Sequence, residues 1–219
     1  MKPEFWHERW RIGQIGFHQP AVDRHLIRYW PDLGPAINRR VFVPLCGKSL
    51  DLLWLRDRGQ SVSGVELSAV ALESFCMENG ILAARRTVGG FDVYEAANLN
   101  LYQGDFFSLS STLLGPVAAV YDRAALISWD PQLRAAYVEH AAALTAPGTQ
   151  TLLVTLEYPQ SQMMGPPFSV TADDVARLYS RHHSIQELSR EDILPREPRL
   201  RARGVTQLHE ACYRLTRLQ

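Results

Sequence analysis

Blocks of apolar residues alternate with turn residues along most of the chain, and their spacing predicts strands and helices in turn. Short apolar runs predict strands at VFVPL (41–45), SVSGVEL (61–67) and VAAVYDR (117–123). Helical spacing follows the first two strands, with a stop at Gly59 for one helix and a cap at Ser68 for the next. Such alternation predicts a doubly wound α/β fold with a mostly parallel sheet, whose ligands bind beyond the carboxyl ends of the strands.

The remaining patterns extend this fold in both directions. FDVYEAA and NLNLYQGDFF predict a hairpin, and TQTLLVTLEY predicts a further strand. Asp130 with Pro131 predicts the start of a helix, and Thr171 with Asp174 predicts a capping box. Two strands are expected near the end, around 184–190 and 209–216.

The N-terminal forty residues have a different, aromatic pattern. PEFWHERW predicts a short helix, and QPAVDRHLIRYW predicts a second helix that stops at Pro31. The glycines Gly13 and Gly16 lie between the two helices and would give this bulky stretch a flexible joint. We therefore expect residues 1–38 to form a helical cover over the active site, within one domain that spans residues 1–219, although two small domains would also fit this length.

Composition excludes several classes of protein. The 219 residues carry 23 basic and 23 acidic side chains, and this zero net charge is untypical of a protein that binds nucleic acid or an anionic membrane surface. A hydrophobic fraction of 46% excludes a disordered chain. Three cysteines without CxxC spacing indicate a reducing compartment, and no apolar stretch resembles a membrane span or a signal peptide. A cytoplasmic protein is expected.

The turn after the first strand is the first candidate ligand site. Gly47-Lys48-Ser49 resembles the end of a phosphate-binding P-loop, but that motif requires a glycine where Phe42 stands. One glycine in a tight turn still lets a small ligand approach the backbone. Glu66 ends the next strand, near the 20-residue spacing at which an acid accepts hydrogen bonds from ribose hydroxyls in doubly wound folds. The pair predicts nucleoside binding.

Other charged residues at strand ends have two readings each. Asp105 is either a turn residue or an acceptor for an exocyclic amine, and Asp122-Arg123 is either an ion pair at the sheet rim or a pair whose arginine faces the ligand crevice. The seven histidines show no metal-ligand spacing, and no GxSxG motif supports a serine hydrolase. No metal is therefore expected.

Several motifs in chain order resemble one known family. PEFWHERW with GFHQ, VPLCGKSLDLLWL, GVELS, YDRAAL and TLEY with GPPFSV are similar to the bacterial members of the thiopurine S-methyltransferase family, over nearly the whole chain. The resemblance implies a three-layer, Rossmann-like methyltransferase fold with seven strands, the last of them antiparallel. It also implies S-adenosyl-L-methionine as the methyl donor and S-adenosyl-L-homocysteine as the product.

The resemblance assigns roles to individual residues. Contacts to the cofactor are implied for Trp10, Leu45, Gly47, Glu66, Gly104, Asp105 and Arg123. Within this set Glu66 would hold the ribose, and Gly104 with Asp105 would border the adenine. Contacts to the acceptor are implied for Phe17, Arg123, Pro166 and Pro167, with Arg123 as the catalytic residue.

The expected reaction is direct methyl transfer to a thiopurine or another aromatic or heterocyclic thiol, and the resemblance extends the acceptors to selenium and tellurium compounds. Two alternatives stay open from sequence: an oxygen- or nitrogen-directed methyltransferase, and a non-catalytic module that binds S-adenosylmethionine. A monomer without nucleic-acid or membrane partners is expected.

Overall fold

A computed structural model describes residues 3–35 and 37–219, which contain eight α-helices and nine strands. The helices are α1 (Pro3–Arg11), α2 (Arg24–Leu33), α3 (Asp51–Asp57), α4 (Ala69–Glu78), α5 (Ser111–Leu114), α6 (Arg134–Ala143), α7 (Ala172–Tyr179) and α8 (Pro198–Ala202). The strands are β1 (Arg40–Val43), β2 (Ser61–Glu66), β3 (Ala84–Val88), β4 (Phe91–Ala96), β5 (Leu99–Gln103), β6 (Ala119–Arg123), β7 (Gln150–Glu157), β8 (His183–Asp192) and β9 (His209–Arg217). Each described helix is too short or too polar to cross a membrane.

The chain divides into two compact units, which meet in sequence at Tyr121 and Asp122. In the first unit, which includes β6 up to Tyr121, the strands lie in the order β3-β4-β5-β2-β1-β6. β1 pairs in parallel with β2 and β6, and β2 pairs in parallel with β5. β1 and β2 are almost wholly buried, as expected for central parallel strands covered on both faces. The prediction of a single domain with residues 1–38 as a cover stays a prediction.

In the second unit β9 lies between β7 and β8 and is antiparallel to both. A buried cluster of Tyr158, Met163, Ile193, Val205 and Leu208 joins the segment after β7 to the connection between β8 and β9. The antiparallel last strand was predicted, and the predicted α/β class is confirmed.

The number of strands differs from the seven expected. The two additional strands are β3 and β4, an antiparallel addition at the edge of the first unit. β4 and β5 form the predicted hairpin, but β3 was not predicted, because its side chains are largely exposed and its sequence ARRTV lacks an apolar alternation.

Two predicted helix boundaries were wrong. α2 continues through Pro31 to Leu33, because a proline in the last turn removes only one N–H donor. α6 begins at Arg134 rather than at Asp130. The Asp130 carboxylate instead accepts from the N–H of Gln132 at 3.0 Å and shapes the turn before the helix. The predicted capping box of α7 is present.

Replacement of Gly64, in β2, tests how tightly the core of the first unit is packed. A Cβ atom at this position would lie 2.7 Å from the Sγ of Cys46 and 3.0 Å from a methyl group of Leu101. We expect Gly64→Ala to lower the free energy of unfolding by about 1–3 kcal/mol, because the added methyl group overpacks the core. Urea denaturation measures this change.

The matched control is Gly16→Ala, since a Cβ atom at Gly16 has no neighbour within 4 Å. This variant should change stability by less than about 0.5 kcal/mol. Equal stability of the two variants would contradict the packing described for Gly64.

Candidate functional site

The turn between β1 and α3 is built from two residues in the left-handed backbone region. Leu45 has φ of 47° and Gly47 has φ of 54°, a region that costs a non-glycine residue of order 1–3 kcal/mol. Backbone hydrogen bonds hold the turn: the Cys46 N–H donates to Val65 O at 2.9 Å, and the Ser49 N–H donates to Cys46 O at 3.2 Å. The turn is therefore attached to the neighbouring strand β2.

Glu66 connects this turn to the end of β2. Its Oε2 accepts from the Gly47 N–H at 3.0 Å, and its Oε1 accepts from the Ser68 N–H at 2.8 Å. Glu66 is 7% exposed. Backbone N–H groups on both carboxylate oxygens thus fix the orientation of this side chain.

Burial dominates the electrostatics of Glu66. It raises the pKa of this carboxyl to about 7, while the backbone N–H groups of Ser68, Gly47 and Leu67 act in the opposite direction. Burial and the nearby charge of Glu66 also raise the pKa of the Cys46 thiol, which stays protonated at neutral pH. The site thus holds one carboxyl that titrates near neutrality.

Aromatic residues of the N-terminal segment lie against the turn. The indole of Trp10 faces Gly47, since a Cβ atom at Gly47 would be 3.1 Å from the Cζ2 of Trp10. The Phe17 ring packs edge-on against Trp10 at a centroid distance of 5.4 Å, and against Trp6 at 5.8 Å. The predicted residues Trp10, Gly47 and Phe17 are therefore close together.

The end of β5 adds one predicted residue to this group. The Gly104 N–H donates to Glu66 O at 2.9 Å, which places Gly104 beside Glu66. Asp105 is exposed, and its Oδ1 accepts from the Phe107 N–H at 3.1 Å. This bond supports the reading of Asp105 as a turn residue; its predicted contact to adenine stays a prediction.

Lys48 does not act as a phosphate-binding lysine would. Its Nζ lies 2.7 Å from a carboxylate oxygen of Glu78, at the end of α4. The ion pair agrees with the rejection of the P-loop. Within residues 3–35 and 37–219, no three His, Cys, Asp or Glu side chains are grouped as metal ligands would be.

In the second unit, Arg123 ends β6 and is followed by a loop that a buried carboxylate holds. Asp122 is 3% exposed; its Oδ2 accepts from the Tyr137 hydroxyl at 2.7 Å and its Oδ1 accepts from the Leu126 N–H at 3.1 Å. Burial raises the pKa of Asp122 to about 6. Asp122 is thus buried against Tyr137. Arg123 itself is half-buried.

Pro166 and Pro167 are half-buried and lie in a loop with several hydrogen bonds. The Tyr158 hydroxyl donates to Pro167 O at 2.5 Å, and the Phe168 N–H donates to Ile127 O at 2.7 Å. The second bond connects this loop to the segment that follows Arg123. The second unit thus holds Arg123 at the end of β6 and both prolines in a hydrogen-bonded loop.

A family model supplies the deciding comparison. The model described as thiopurine S-methyltransferase matches residues 1–218. The chain belongs to the thiopurine S-methyltransferase family. The family resemblance predicted from the motifs is confirmed.

Curated relatives agree with this membership. A thiopurine S-methyltransferase of Nitrosospira multiformis is 46% identical over 216 residues, which cover 98% of this chain and 98% of the relative. One of Pseudomonas fluorescens (strain SBW25) is 48% identical over 215 residues, with coverage of 98% and 99%.

A solved structure with low sequence identity shares the fold. It is Burkholderia thailandensis 1,6-didemethyltoxoflavin-N1-methyltransferase with bound 1,6-didemethyltoxoflavin and S-adenosylhomocysteine. Its TM-score is 0.64 at 14% identity, and the match covers 99% of this chain and 87% of that chain. The likeness supports the methyltransferase fold.

Sequence reasoning missed two residues that organise the site. The Tyr137 hydroxyl, in α6, donates to Asp122, which lies 15 residues earlier in the chain. No local pattern in the sequence predicts this pairing. Asp51, 2% exposed, begins α3 and accepts from the Asp23 N–H at 2.8 Å. No signal in the sequence marks this pairing, because the burial of Asp51 is seen only in the fold.

Replacement of Tyr137 tests the loop that carries Arg123. Tyr137→Phe removes the hydroxyl donor and leaves the Asp122 carboxylate buried. We therefore expect the free energy of unfolding to fall by about 1–3 kcal/mol at pH 8. Since the pKa of Asp122 in the folded protein is about 6, most of these carboxyls are protonated at pH 5 and the loss should be smaller there. Urea denaturation at the two pH values measures the difference.

Tyr102→Phe is the control, because the Tyr102 hydroxyl donates only to the neutral carbonyl of Leu113, at 3.4 Å. Its effect on stability should be small and equal at both pH values. A loss for Tyr137→Phe that does not depend on pH would contradict the role given to Asp122.

Proposed function

We propose that this protein is an S-adenosylmethionine-dependent S-methyltransferase that acts on thiopurines and on other aromatic or heterocyclic thiols. The observation that carries this proposal is family membership over residues 1–218, together with a buried strand-end carboxylate at Glu66. Relatives named thiopurine S-methyltransferase at 46% and 48% identity support the reaction type.

The residues of the first unit fit the methyl donor. Glu66 would accept from the two neighbouring ribose hydroxyls, and its orientation is already set by the N–H groups of Gly47 and Ser68. Leu45 and Gly47 let a ligand approach the turn, Trp10 offers an aromatic surface beside Gly47, and Gly104 with Asp105 would border the adenine. When bound, S-adenosylmethionine supplies a methyl group on a positively charged sulfur, and S-adenosylhomocysteine remains.

Arg123 is the proposed catalytic residue. Its guanidinium would stabilise the negative charge of a thiolate acceptor, directly or through water. Asp122 fixes the loop that follows it, through Tyr137 and the Leu126 N–H. Aromatic thiols ionise readily, so the acceptor needs no strong general base. Asp122 itself is committed to Tyr137, which argues against its use as one.

Apolar residues would hold the flat ring of the acceptor. Phe17, Pro166 and Pro167 are the proposed walls, and exclusion of water by such walls strengthens the interaction of Arg123 with a thiolate. The protein's own contribution is thus positioning and electrostatics. We further propose that it acts as a cytoplasmic monomer and accepts selenium and tellurium compounds as well.

A methyl-transfer assay tests the function directly. Matched aryl thiols, phenols and anilines are incubated with S-adenosylmethionine, and the methylated products are identified by mass spectrometry. We expect turnover of the thiols only. Turnover restricted to phenols or anilines would show an oxygen- or nitrogen-directed enzyme, and cofactor binding without any turnover would show a binding module.

Arg123→Met tests the catalytic role with a side chain of similar length. We expect kcat/KM for an aryl thiol to fall by about 100-fold, because a positive group near the developing charge is lost. Affinity for S-adenosylhomocysteine, measured by calorimetry, should change far less. An unchanged kcat/KM would exclude Arg123 from catalysis.

The raised pKa of Glu66 predicts how cofactor affinity depends on pH. Two ribose hydroxyls donate best to the ionised carboxylate, so affinity for S-adenosylhomocysteine should fall as the pH falls below about 7, by a limiting factor of about ten per pH unit. Isothermal titration calorimetry between pH 5.5 and 8 measures this profile.

Glu66→Gln keeps the shape but cannot ionise, and it should bind about tenfold more weakly at pH 8 with a flatter profile. In the wild type, the free energy of unfolding should depend on pH in the opposite direction to the affinity for the cofactor. Since the folded-state pKa of Glu66 lies above its ordinary value, the unliganded protein should gain stability from this group as the pH falls from 8 to 5. Wild-type affinity that does not vary with pH would contradict the ribose role of Glu66.

A further inference from the structure

Two buried carboxylates connect the N-terminal segment to the cofactor turn, which is the turn between β1 and α3 (residues 44–50). Asp23 is 4% exposed and Asp51 is 2% exposed. The backbone N–H of Asp23 donates to the Oδ1 of Asp51 at 2.8 Å, across 28 residues of chain. A hydrogen bond from a neutral donor to a buried charged acceptor is among the stronger ones in proteins.

Each of the two acids also lies at the start of a helix. Asp23 Oδ1 accepts from the N–H groups of His25 at 2.9 Å and Leu26 at 3.2 Å. These two bonds cap the start of α2. The Asp51 N–H donates to the Oγ of Ser49 at 3.2 Å, within the turn that carries Gly47. The bond between the two acids therefore joins the start of α2 to the cofactor turn.

The same segment has a second attachment to the same turn. Trp10, in α1, packs against Gly47. Residues 11–22 connect the two attachments, and they carry Phe17. In this connection a Cβ atom at Gly13 or Gly16 would have no neighbour within 4 Å, so little else packs around these two positions.

We propose that Asp51 is a positioning residue for the methyl acceptor: by holding the Asp23 N–H, it fixes the segment that places Phe17. With both ends attached, residues 11–22 form a closed loop, and loss of one attachment adds conformations in which Phe17 is displaced. An ordered wall binds a ligand better than a wall that must be ordered on binding. This inference rests on the proposed function, because it uses the acceptor role of Phe17.

Asp51→Ala and Asp51→Asn separate positioning from simple loss of a charge. Alanine removes the acceptor oxygen, whereas asparagine retains an oxygen that can accept from the Asp23 N–H. We expect Asp51→Ala to raise the KM for an aryl thiol by about three- to tenfold, with affinity for S-adenosylhomocysteine within about twofold of wild type. Asp51→Asn should restore most of the acceptor KM.

Hydrogen exchange gives a second readout that does not depend on turnover. In the protein saturated with S-adenosylhomocysteine, amides of residues 12–22 should exchange at least about threefold faster in Asp51→Ala than in wild type, because one attachment is lost. If Asp51→Ala does not fold, Asp51→Ser takes its place, because serine also lacks the carboxylate oxygen that accepts from the Asp23 N–H.

Asp174→Ala is the matched control, since Asp174 also organises a helix start, through the Thr171 N–H at 3.1 Å. It should change neither the acceptor KM nor exchange in residues 12–22. The proposal is overturned if the acceptor KM and this exchange stay at wild-type values in Asp51→Ala, or if Asp174→Ala changes them equally. If wild type transfers no methyl group, the proposed function fails, and the exchange data still decide whether Asp51 holds the segment.

Discussion

The turn between β1 and α3 depends on one buried carboxylate. Glu66 lies at the end of β2 and accepts two backbone N–H groups, one from the turn after β1 and one from the start of α4. Without these bonds the N–H groups of Gly47 and Ser68 would be left without a partner in a buried place, and the left-handed turn would lose its support. The same carboxylate is the proposed acceptor for the ribose, so under this proposal a single group both shapes the turn and binds the ligand.

The second unit uses a buried acid in a different way. Asp122 also lies at a strand end and also accepts from a backbone N–H, but its other oxygen accepts from the Tyr137 hydroxyl. Burial raises the pKa of both acids, to about 7 for Glu66 and about 6 for Asp122. The difference lies in the partners: backbone N–H groups orient Glu66, whereas a side-chain hydroxyl holds Asp122, which serves the loop that follows Arg123.

Local pattern in the sequence predicts one part of the molecule well. β1, β2 and β6 are buried apolar runs, as predicted. The nucleoside site inferred from the turn at Gly47 and the acid at Glu66 stays a prediction. β3 was not predicted, because an exposed edge strand needs no apolar alternation. α2 continues beyond the predicted stop at Pro31, because the loss of one N–H donor is tolerated in a last turn. The bonds from Asp51 to Asp23 and from Tyr137 to Asp122 join distant segments, so only the fold reveals them. Roles for Phe17, Pro166 and Pro167 came from family resemblance, since nothing in their spacing indicates an acceptor wall.

Direct titration of Glu66 is the most direct test of its central role. Side-chain carboxyl signals of 13C-labelled glutamate are followed by NMR from pH 4 to 9, and Glu66→Gln identifies the signal. We expect a pKa of about 7 for Glu66 in the free protein and a clear decrease when S-adenosylhomocysteine is bound, because two ribose hydroxyls favour the ionised form. A pKa near the ordinary glutamate value in the free protein, or one that S-adenosylhomocysteine leaves unchanged, would contradict this role.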